Sequence, residues 1–246
     1  MNLLRIAHWL GPVLLAAGLL VGGSGSAIAQ NPPATLAAPT TTLYDQTDFP
    51  GSNTADSTNW GNQFRTLNSQ AADDFVVPGN VIWHITSASA SGAYIGSAPS
   101  GNLSLLVQFY INSSGLPLSR IFSQTVATGN ISGLDTGIFV FPVSPALALG
   151  PGHYWFTVQD SVTCTATNCK HWGWTERTLQ SPLPQLASVW ENPAGGSGSP
   201  PACMTWQPRV DVCHVPDNST GKDLLFKLAG TSAPVVANLM LPLVRR

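Results

Sequence analysis

The triplet Asp135-Thr136-Gly137 is the stretch of this chain that comes closest to a known catalytic motif. Aspartic proteases use two such aspartates, which share one proton between their carboxyl groups. Only one copy occurs here, so a catalytic pair would require a second chain. Because Asp, Thr and Gly are also turn formers and the apolar run "IFVF" follows, we interpret the triplet as a turn that leads into a strand.

Other hydrolase chemistry has no stronger candidate. The run "GGSGS" at 195–199 ends in Ser199, where the nucleophile elbow G-x-S-x-G requires glycine. Glycoside hydrolysis needs two carboxyl groups across a groove, and Glu176 and Glu191 are the only glutamates. We therefore predict a non-enzymatic protein, and a secreted glycosidase or protease with an unrecognised site is the alternative. The histidines beyond the N-terminal segment stand singly, without the H-x-x-x-H spacing of a zinc site: His84, His153, His171 and His214.

Tryptophans in the C-terminal half are the candidate ligand-binding residues. Sugar rings stack on exposed aromatic faces, and "HWGW" puts Trp172 and Trp174 on the same side of an extended segment. Together with Trp190 and Trp206 they could form a platform for an extracellular glycan. The competing interpretation is that these side chains cover one end of the fold as part of a core.

Four aspartates near the start of the folded region are candidate ligands of a structural calcium ion: Asp45, Asp48, Asp73 and Asp74. Calcium prefers carboxylate and carbonyl oxygens, but the chain has no D-x-D-x-D-G loop. Asp73 and Asp74 would also point to opposite faces of a strand. Structural aspartate turns are the competing interpretation, and no other cofactor is predicted.

The first 29 residues have the pattern of a secretory signal peptide. Arg5 precedes the apolar run "WLGPVLLAAGLLV", and Ala27 and Ala29 occupy the −3 and −1 positions of a cleavage site. The run is shorter than the roughly 20 apolar residues of a transmembrane helix. We therefore predict a secreted or cell-surface protein whose mature chain has no transmembrane span.

Four cysteines lie at positions 164, 169, 203 and 213. An even number of cysteines in an exported chain predicts disulfides. Among the three possible connectivities we favour Cys164 with Cys169 and Cys203 with Cys213, because each pair closes a short local loop. A four-thiolate zinc site is the alternative, although neither spacing is the C-x2-C of zinc knuckles.

Composition divides the rest of the chain into three parts. Residues 30–42 are rich in Pro, Ala and Thr, without charge or periodicity, and predict a flexible linker. Residues 43–231 predict one β domain. Residues 232–246 form a tail whose short apolar run ends in Arg245 and Arg246, and this tail could be a sorting or surface-retention signal.

Short runs rich in β-branched and aromatic residues fill residues 43–231 and are separated by Gly, Pro, Asn and Ser. Such runs at this spacing predict an all-β protein, an antiparallel β-sandwich that is jelly-roll-like. The predicted strands are "DDFVVP", "VIWHITSASASGAYIG", "LSLLVQFYIN", "RIFSQTVA", "GIFVFPV", "HYWFTVQD", "ASVWEN" and "DLLFKLAG".

Strict alternation assigns side chains to faces within these strands. In "HYWFTVQD", Tyr154, Phe156 and Val158 share one face. In "VIWHITS", Trp83, Ile85 and Ser87 share one face. Since the first and last strands of jelly rolls often lie close, "LYDQ" is expected to pair near "DLLFKLAG".

Several motifs follow one another in a distinctive order from about Leu43 to Thr231. They include "AADDFVVPG", "INSSGLP", "PALALGPGHYWFTVQ", "WGW" and "DLLFKLAGT". Together they resemble a family of bacterial secreted β-sandwich domains, which occur in proteins with cell-surface sorting signals and are mostly of unknown function. The resemblance implies a jelly-roll-like sandwich outside the cell and implies no catalytic residues.

The combined prediction is a secreted or cell-surface, non-enzymatic β-sandwich protein that acts in adhesion, surface structure or glycan binding. Its predicted partner is an extracellular glycan or a component of the cell envelope. Nucleic acid is not a predicted partner, because a net charge of −2 with 9% charged residues provides no basic surface.

Overall fold

The computed structural model describes residues 40–97, 104–165, 167–196, 200–216 and 219–235. These residues belong to one unit of the chain, Ala38–Arg246. The predicted signal peptide lies outside the described residues, as do most of the predicted linker and tail. Within the described ranges, no helix has the length and apolarity needed to cross a membrane.

Strands joined by turns make up most of the described backbone, which confirms the predicted all-β class. The helical segments in these ranges are short 3-10 turns at Arg65–Leu67, Thr128–Asn130 and Pro201–Met204. In chain order the strands are β1 (Thr41–Asp45), β2 (Pro50–Asp56), β3 (Thr58–Asn59), β4 (Gln70–Val77), β5 (Val81–Ile95), β6 (Ser104–Ser113), β7 (Leu116–Ala127), β8 (Ile138–Leu149), β9 (Gly152–Ser161), β10 (His171–Arg177), β11 (Val189–Glu191), β12 (Gln207–Pro208), β13 (Asp223–Leu224) and β14 (Phe226–Pro234).

The strands form two sheets that pack face to face. Sheet I has the order β1-β14-β5-β10-β13, and β8 also pairs with β5 while β2 also pairs with β10. Sheet II has the order β12-β11-β4-β9-β6-β7, and the short strand β3 pairs with β9. The β3–β9 pairing is parallel, whereas the long ladders of both sheets are antiparallel. The predicted antiparallel β-sandwich is thus confirmed.

Aromatic side chains fill the space between the inner faces of the sheets. Phe75 of β4, Phe156 of β9 and Phe226 of β14 are fully buried. The ring of Phe156 lies 5.2 Å from that of Phe226, measured between centroids. Burying one such side chain stabilises a fold by about 1.5–3 kcal/mol, so these contacts hold the sheets together. Tyr154 and Val158 also contact this core, which confirms the predicted face of β9 and identifies it as the inner one.

A β-bulge in β5 makes the prediction of strict alternation wrong for that strand. Trp83 and Ile85 point into the core as one face, but the next core residue is Ala88 and not Ser87. Against β14, Ile85 and Ser87 lie opposite the consecutive residues Gly230 and Ala229, so β5 has one extra residue there. The extra residue at a bulge moves every later side chain to the opposite face.

Both ends of the folded region extend beyond their predicted boundaries. Strand β1 begins at Thr41, inside the predicted linker 30–42, and β14 ends at Pro234, beyond Thr231. Backbone pairing explains the extensions, since Thr41 lies opposite Gly230 and Pro234 lies opposite Val81. The expected pairing of "LYDQ" with the last strand is confirmed.

Two disulfides join Cys164 to Cys169 and Cys203 to Cys213. The predicted connectivity is confirmed, and the zinc alternative is wrong because all four sulfurs are in disulfide bonds. One bridge fastens the loop between β9 and β10. The other fastens the segment around β12.

Candidate functional site

Three of the four predicted platform tryptophans lie in the core. Trp172 and Trp174 of β10 and Trp190 of β11 have at most 1% of their surface exposed. The prediction of an exposed platform is therefore wrong for these three residues, and the competing interpretation as core is confirmed. Each indole N–H donates to a backbone carbonyl: Trp172 to Gly137 at 2.9 Å, Trp174 to Leu225 at 2.8 Å and Trp190 to Asp56 at 2.8 Å.

The local structure of β10 explains why its tryptophans point inward. Trp172 and Trp174 do share a side, as alternation predicted, but that side faces sheet II. Gly92 in the neighbouring strand leaves space for the indole of Trp172, because a Cβ at Gly92 would collide with that ring. Alternation identifies residues that share a face but does not identify the buried face when both contain large side chains.

Trp206 has a different environment from the other three tryptophans. It is half-buried and packs on the outer side of sheet II, against a cluster that contains Trp155 and Val189. Its ring lies 6.1 Å from that of Tyr110, with the two planes at 72°. Of the predicted platform residues, Trp206 is therefore the one that a ligand could reach.

The four predicted calcium ligands do not converge. Asp45 pairs with Lys227 at 3.1 Å, and Asp48 pairs with Arg177 at 2.8 Å. Among the described residues, which include all four aspartates, no group of three or more His, Cys, Asp or Glu side chains could hold a metal ion. The prediction that these aspartates form one calcium site is therefore wrong.

Asp73 and Asp74 point to opposite faces of β4, as predicted. Asp73 is buried between the sheets and accepts hydrogen bonds from Gln46 Nε2 and Leu224 N, both at 2.6 Å. Asp74 accepts from Leu186 N at 2.9 Å and contacts His153 Nε2 on the outer side of sheet II. Burial raises the pKa of Asp73 well above its usual range. Protein donors thus already bond to both carboxyl groups.

The hydrolase motifs do not assemble into a catalytic pair. Asp135 lies in an exposed turn, in which Gly133 O accepts from Gly137 N at 3.0 Å, so the interpretation as a turn is confirmed. Glu176 is in sheet I and accepts from Asn53 Nδ2 at 3.0 Å. Glu191 ends β11 in sheet II. The two glutamates therefore belong to different sheets.

A buried polar network lies between the sheets around Arg209. This side chain has no exposed surface, and its guanidinium donates to Ser188 Oγ at 2.8 Å, to Val215 O at 2.7 Å and to Gly221 O. Burial lowers the pKa of Arg209 to about 10, and the carboxylates of Glu176, Asp73 and Asp223 oppose that shift. We call these four ionisable residues, Arg209, Glu176, Asp73 and Asp223, the buried polar network.

Polar side chains, four of them at most 9% exposed, lie next to one another on the outer side of sheet II. Along each strand they alternate with residues of the core. Strand pairing brings them together from distant parts of the sequence. We call the following residues the outer polar face: Gln70 of β4, Gln108 and Tyr110 of β6, Thr157 and Gln159 of β9, Glu191 of β11, and Trp206.

Register places these residues side by side. Glu191 lies opposite Gln70 across the β11–β4 pair. Gln108 lies opposite Thr157 across the β6–β9 pair. Because partners in adjacent strands have Cβ atoms about 5 Å apart, the side chains form neighbouring rows on one face.

Hydrogen bonds connect the floor of this face. Gln70 Nε2 donates to Gln108 Oε1 and to Thr157 Oγ1, each at 2.7 Å. Tyr110 OH also donates to Gln108 Oε1, at 3.0 Å, and Gln159 Nε2 donates to Ser69 O at 2.7 Å. The amide groups are thereby held in fixed orientations.

Glu191 is the acidic member of the face, and its carboxyl group is partly exposed. In the described part of the chain, no hydrogen bond or ion pair joins its carboxylate to another residue. Burial raises the pKa of Glu191 to about 7. Burial also raises the pKa of Tyr110 to about 12, and the charge of Glu191 contributes to that shift. The two side chains therefore interact electrostatically.

A cleft of about 260 Å³ continues the outer polar face toward the end of β9. Ser104 and Ser161 lie opposite each other in this cleft. Ser161 is two residues beyond Gln159, so the two side chains share a face. The cleft is lined by Asn59, Gly61, Ser104, Ser161, Val162 and Thr163.

The fold and this surface define an antiparallel β-sandwich with a polar outer face on one sheet, at which Tyr110, Glu191 and Trp206 are partly exposed. No protein-family model, curated protein or solved structure matches the chain. The resemblance to bacterial secreted β-sandwich domains accordingly stays a prediction.

Proposed function

We propose that this is a secreted or cell-surface, non-enzymatic protein that binds a glycan on the outer polar face. The main observation is the combination of two half-buried aromatic rings, Tyr110 and Trp206, with a rigid floor of amide groups. Sugars present both apolar C–H surfaces, which pack on aromatic rings, and hydroxyl groups, which bond to amides. The adjoining cleft provides room for more than one sugar unit.

Two disulfides support the extracellular part of the proposal. Such bonds persist in oxidising compartments and are rare in the cytosol. The predicted signal peptide at residues 1–29 is the second support. A glycan of the cell envelope or of a neighbouring cell is the corresponding partner, and adhesion or surface structure is the corresponding role.

A glycosidase is the alternative, and one observation favours it. The pKa of Glu191, raised by burial to about 7, would suit a general acid. Asp74 is the other carboxylate on the outer side of the described sheet II strands, four residues from Gln70 along β4. At about 3.3 Å per residue this is about 13 Å, beyond the roughly 5–9.5 Å that glycosidases use. Since Asp74 is also bound to Leu186 N, binding without hydrolysis is the better-supported function.

The test is a binding screen with the full-length chain, expressed with its own N-terminal segment and purified from the culture medium. A panel of soluble oligosaccharides is titrated by calorimetry against the wild type, Trp206→Ala and Tyr110→Ala. We expect saturable binding that weakens at least tenfold in both variants, which corresponds to about 1.4 kcal/mol. Intact products after prolonged incubation would support binding without hydrolysis.

Phe49→Ala is the matched control. Phe49 is 55% exposed and lies in the loop before β2, away from the outer polar face. We expect this variant to bind as the wild type does. Absence of binding across the panel by folded wild-type protein would contradict the proposal, as would equal weakening in all three variants.

A further inference from the structure

The floor of the outer polar face keeps several hydrogen-bond acceptors that no described donor occupies. Both protons of the Gln70 amide are donated within the protein, to Gln108 and to Thr157. The hydroxyl of Tyr110 and the amide nitrogen of Gln159 also donate to protein groups. In the described residues no donor reaches Gln70 Oε1, Gln159 Oε1 or the carboxylate of Glu191. A ligand that brings donors can therefore bond to these oxygens.

Glu191 adds a negative charge to these acceptors. It stands opposite Gln70 in β4. Trp190 pairs with Gln207 across the antiparallel strands β11 and β12. The next residue of β11 is Glu191 and the residue before β12 is Trp206, so the register places these two opposite each other. Arg120, an exposed residue of β7, is the basic group whose charge reaches Tyr110, but it forms no described ion pair with Glu191.

A carboxylate beside aromatic rings favours a cation that also donates hydrogen bonds. Ammonium groups are attracted to the faces of Trp and Tyr rings, and more strongly to a desolvated carboxylate. We propose that the glycan bound at the outer polar face contains amino sugars with free ammonium groups, and that Glu191 is their counter-ion. This inference rests on the proposed function. Burial of the Glu191 carboxyl group agrees with it, since burial raises the cost of leaving the charge unpaired.

The test compares three tetrasaccharides by calorimetry at pH 7: a glucosamine tetramer, an N-acetylglucosamine tetramer and a glucose tetramer. For the wild type we expect the glucosamine tetramer to bind at least tenfold more tightly than either neutral tetramer. Glu191→Gln keeps the shape of the side chain and removes its charge. We expect this variant to bind all three tetramers with similar affinity, close to that of the wild type for the neutral ones.

Asp135→Asn controls for the change in net charge, because Asp135 is an exposed carboxylate outside the face. We expect this variant to retain the full preference for glucosamine. Equal binding of charged and neutral tetramers by the wild type would overturn the amino-sugar inference and leave the proposed function standing. So would a preference that persists in Glu191→Gln. If the wild type bound neither the three tetramers nor any oligosaccharide of the panel above, both the amino-sugar inference and the proposed function would be overturned.

Discussion

Charged groups in the buried polar network and on the outer polar face have opposite surroundings. Arg209 lies between the sheets, and protein oxygens accept its hydrogen bonds. Glu191 lies on the outer side of sheet II, and no described residue pairs with it. Burying a charge is costly unless partners compensate for it, so the inner partners serve stability. The unpaired outer carboxylate is the group that remains available to a ligand.

The largest effect is expected from removing the centre of the buried polar network. Arg209→Ala would remove the cation whose charge reaches Glu176 and Asp73, and would leave the buried carbonyl groups of Val215 and Gly221 without their donor. We expect the free energy of unfolding to fall by about 3–5 kcal/mol, measured by urea denaturation at pH 7. Arg120→Ala, which removes an exposed arginine of β7, should change it by less than about 0.5 kcal/mol. Similar losses in the two variants would mean that the network is not structural.

A smaller effect, with a defined pH dependence, is expected from Asp223. Burial raises the pKa of Asp223 to about 6, from an ordinary value of 3.8. The folded state therefore holds this proton more tightly than the unfolded state. The resulting stability is fully present below pH 3.8 and is lost as the pH rises through 6.

Asp223→Asn should remove this dependence. Between pH 5 and pH 8, we expect the wild type to lose on the order of 1 kcal/mol more than the variant in urea denaturation. The exposed Asp135→Asn should keep the wild-type profile. A wild type that instead gains stability relative to Asp223→Asn over this range would show that the carboxylate is well paired inside the fold.

The smallest effect is expected on the outer polar face. Burial raises the pKa of Glu191 to about 7. The folded state therefore favours the protonated carboxyl group, and the stability that this group contributes is lost as the pH rises through 7. Because water screens a half-exposed group, we expect Glu191→Gln to be more stable than the wild type by less than about 1 kcal/mol at pH 8.5. The two should be equal at pH 5 by thermal unfolding. A variant less stable than the wild type at both pH values would reveal a hidden partner of Glu191.

Most of the fold could be predicted from local pattern. In β9, alternation correctly separated Phe156, which packs between the sheets, from Thr157, which lies on the outer side of sheet II. In β5 the same rule failed after Ile85, because a bulge depends on the pairing with β14 and leaves no clear mark in the local sequence. The disulfides could be predicted because each bridge is local.

The candidate site could be predicted only in part, because it is assembled by strand register. Trp206 was identified from its residue type. Gln70 and Glu191 are far apart in sequence and become neighbours only through the β11–β4 pairing. Alternation in "HYWFTVQD" grouped Tyr154, Phe156 and Val158 on one face, but the sequence did not show that this strand lies beside "SLLVQFYIN".

The pairing of β1 with β14 determines how the protein would respond to mechanical load. Thr41 lies opposite Gly230 in an antiparallel ladder, so the chain enters and leaves the sandwich at the same end of sheet I. Tension applied at Thr41 and Pro234 would separate the β1–β14 hydrogen bonds one after another, a geometry that yields at low force. The load would not pass through sheet II. The outer polar face would thus keep its shape while the tethered edge peels.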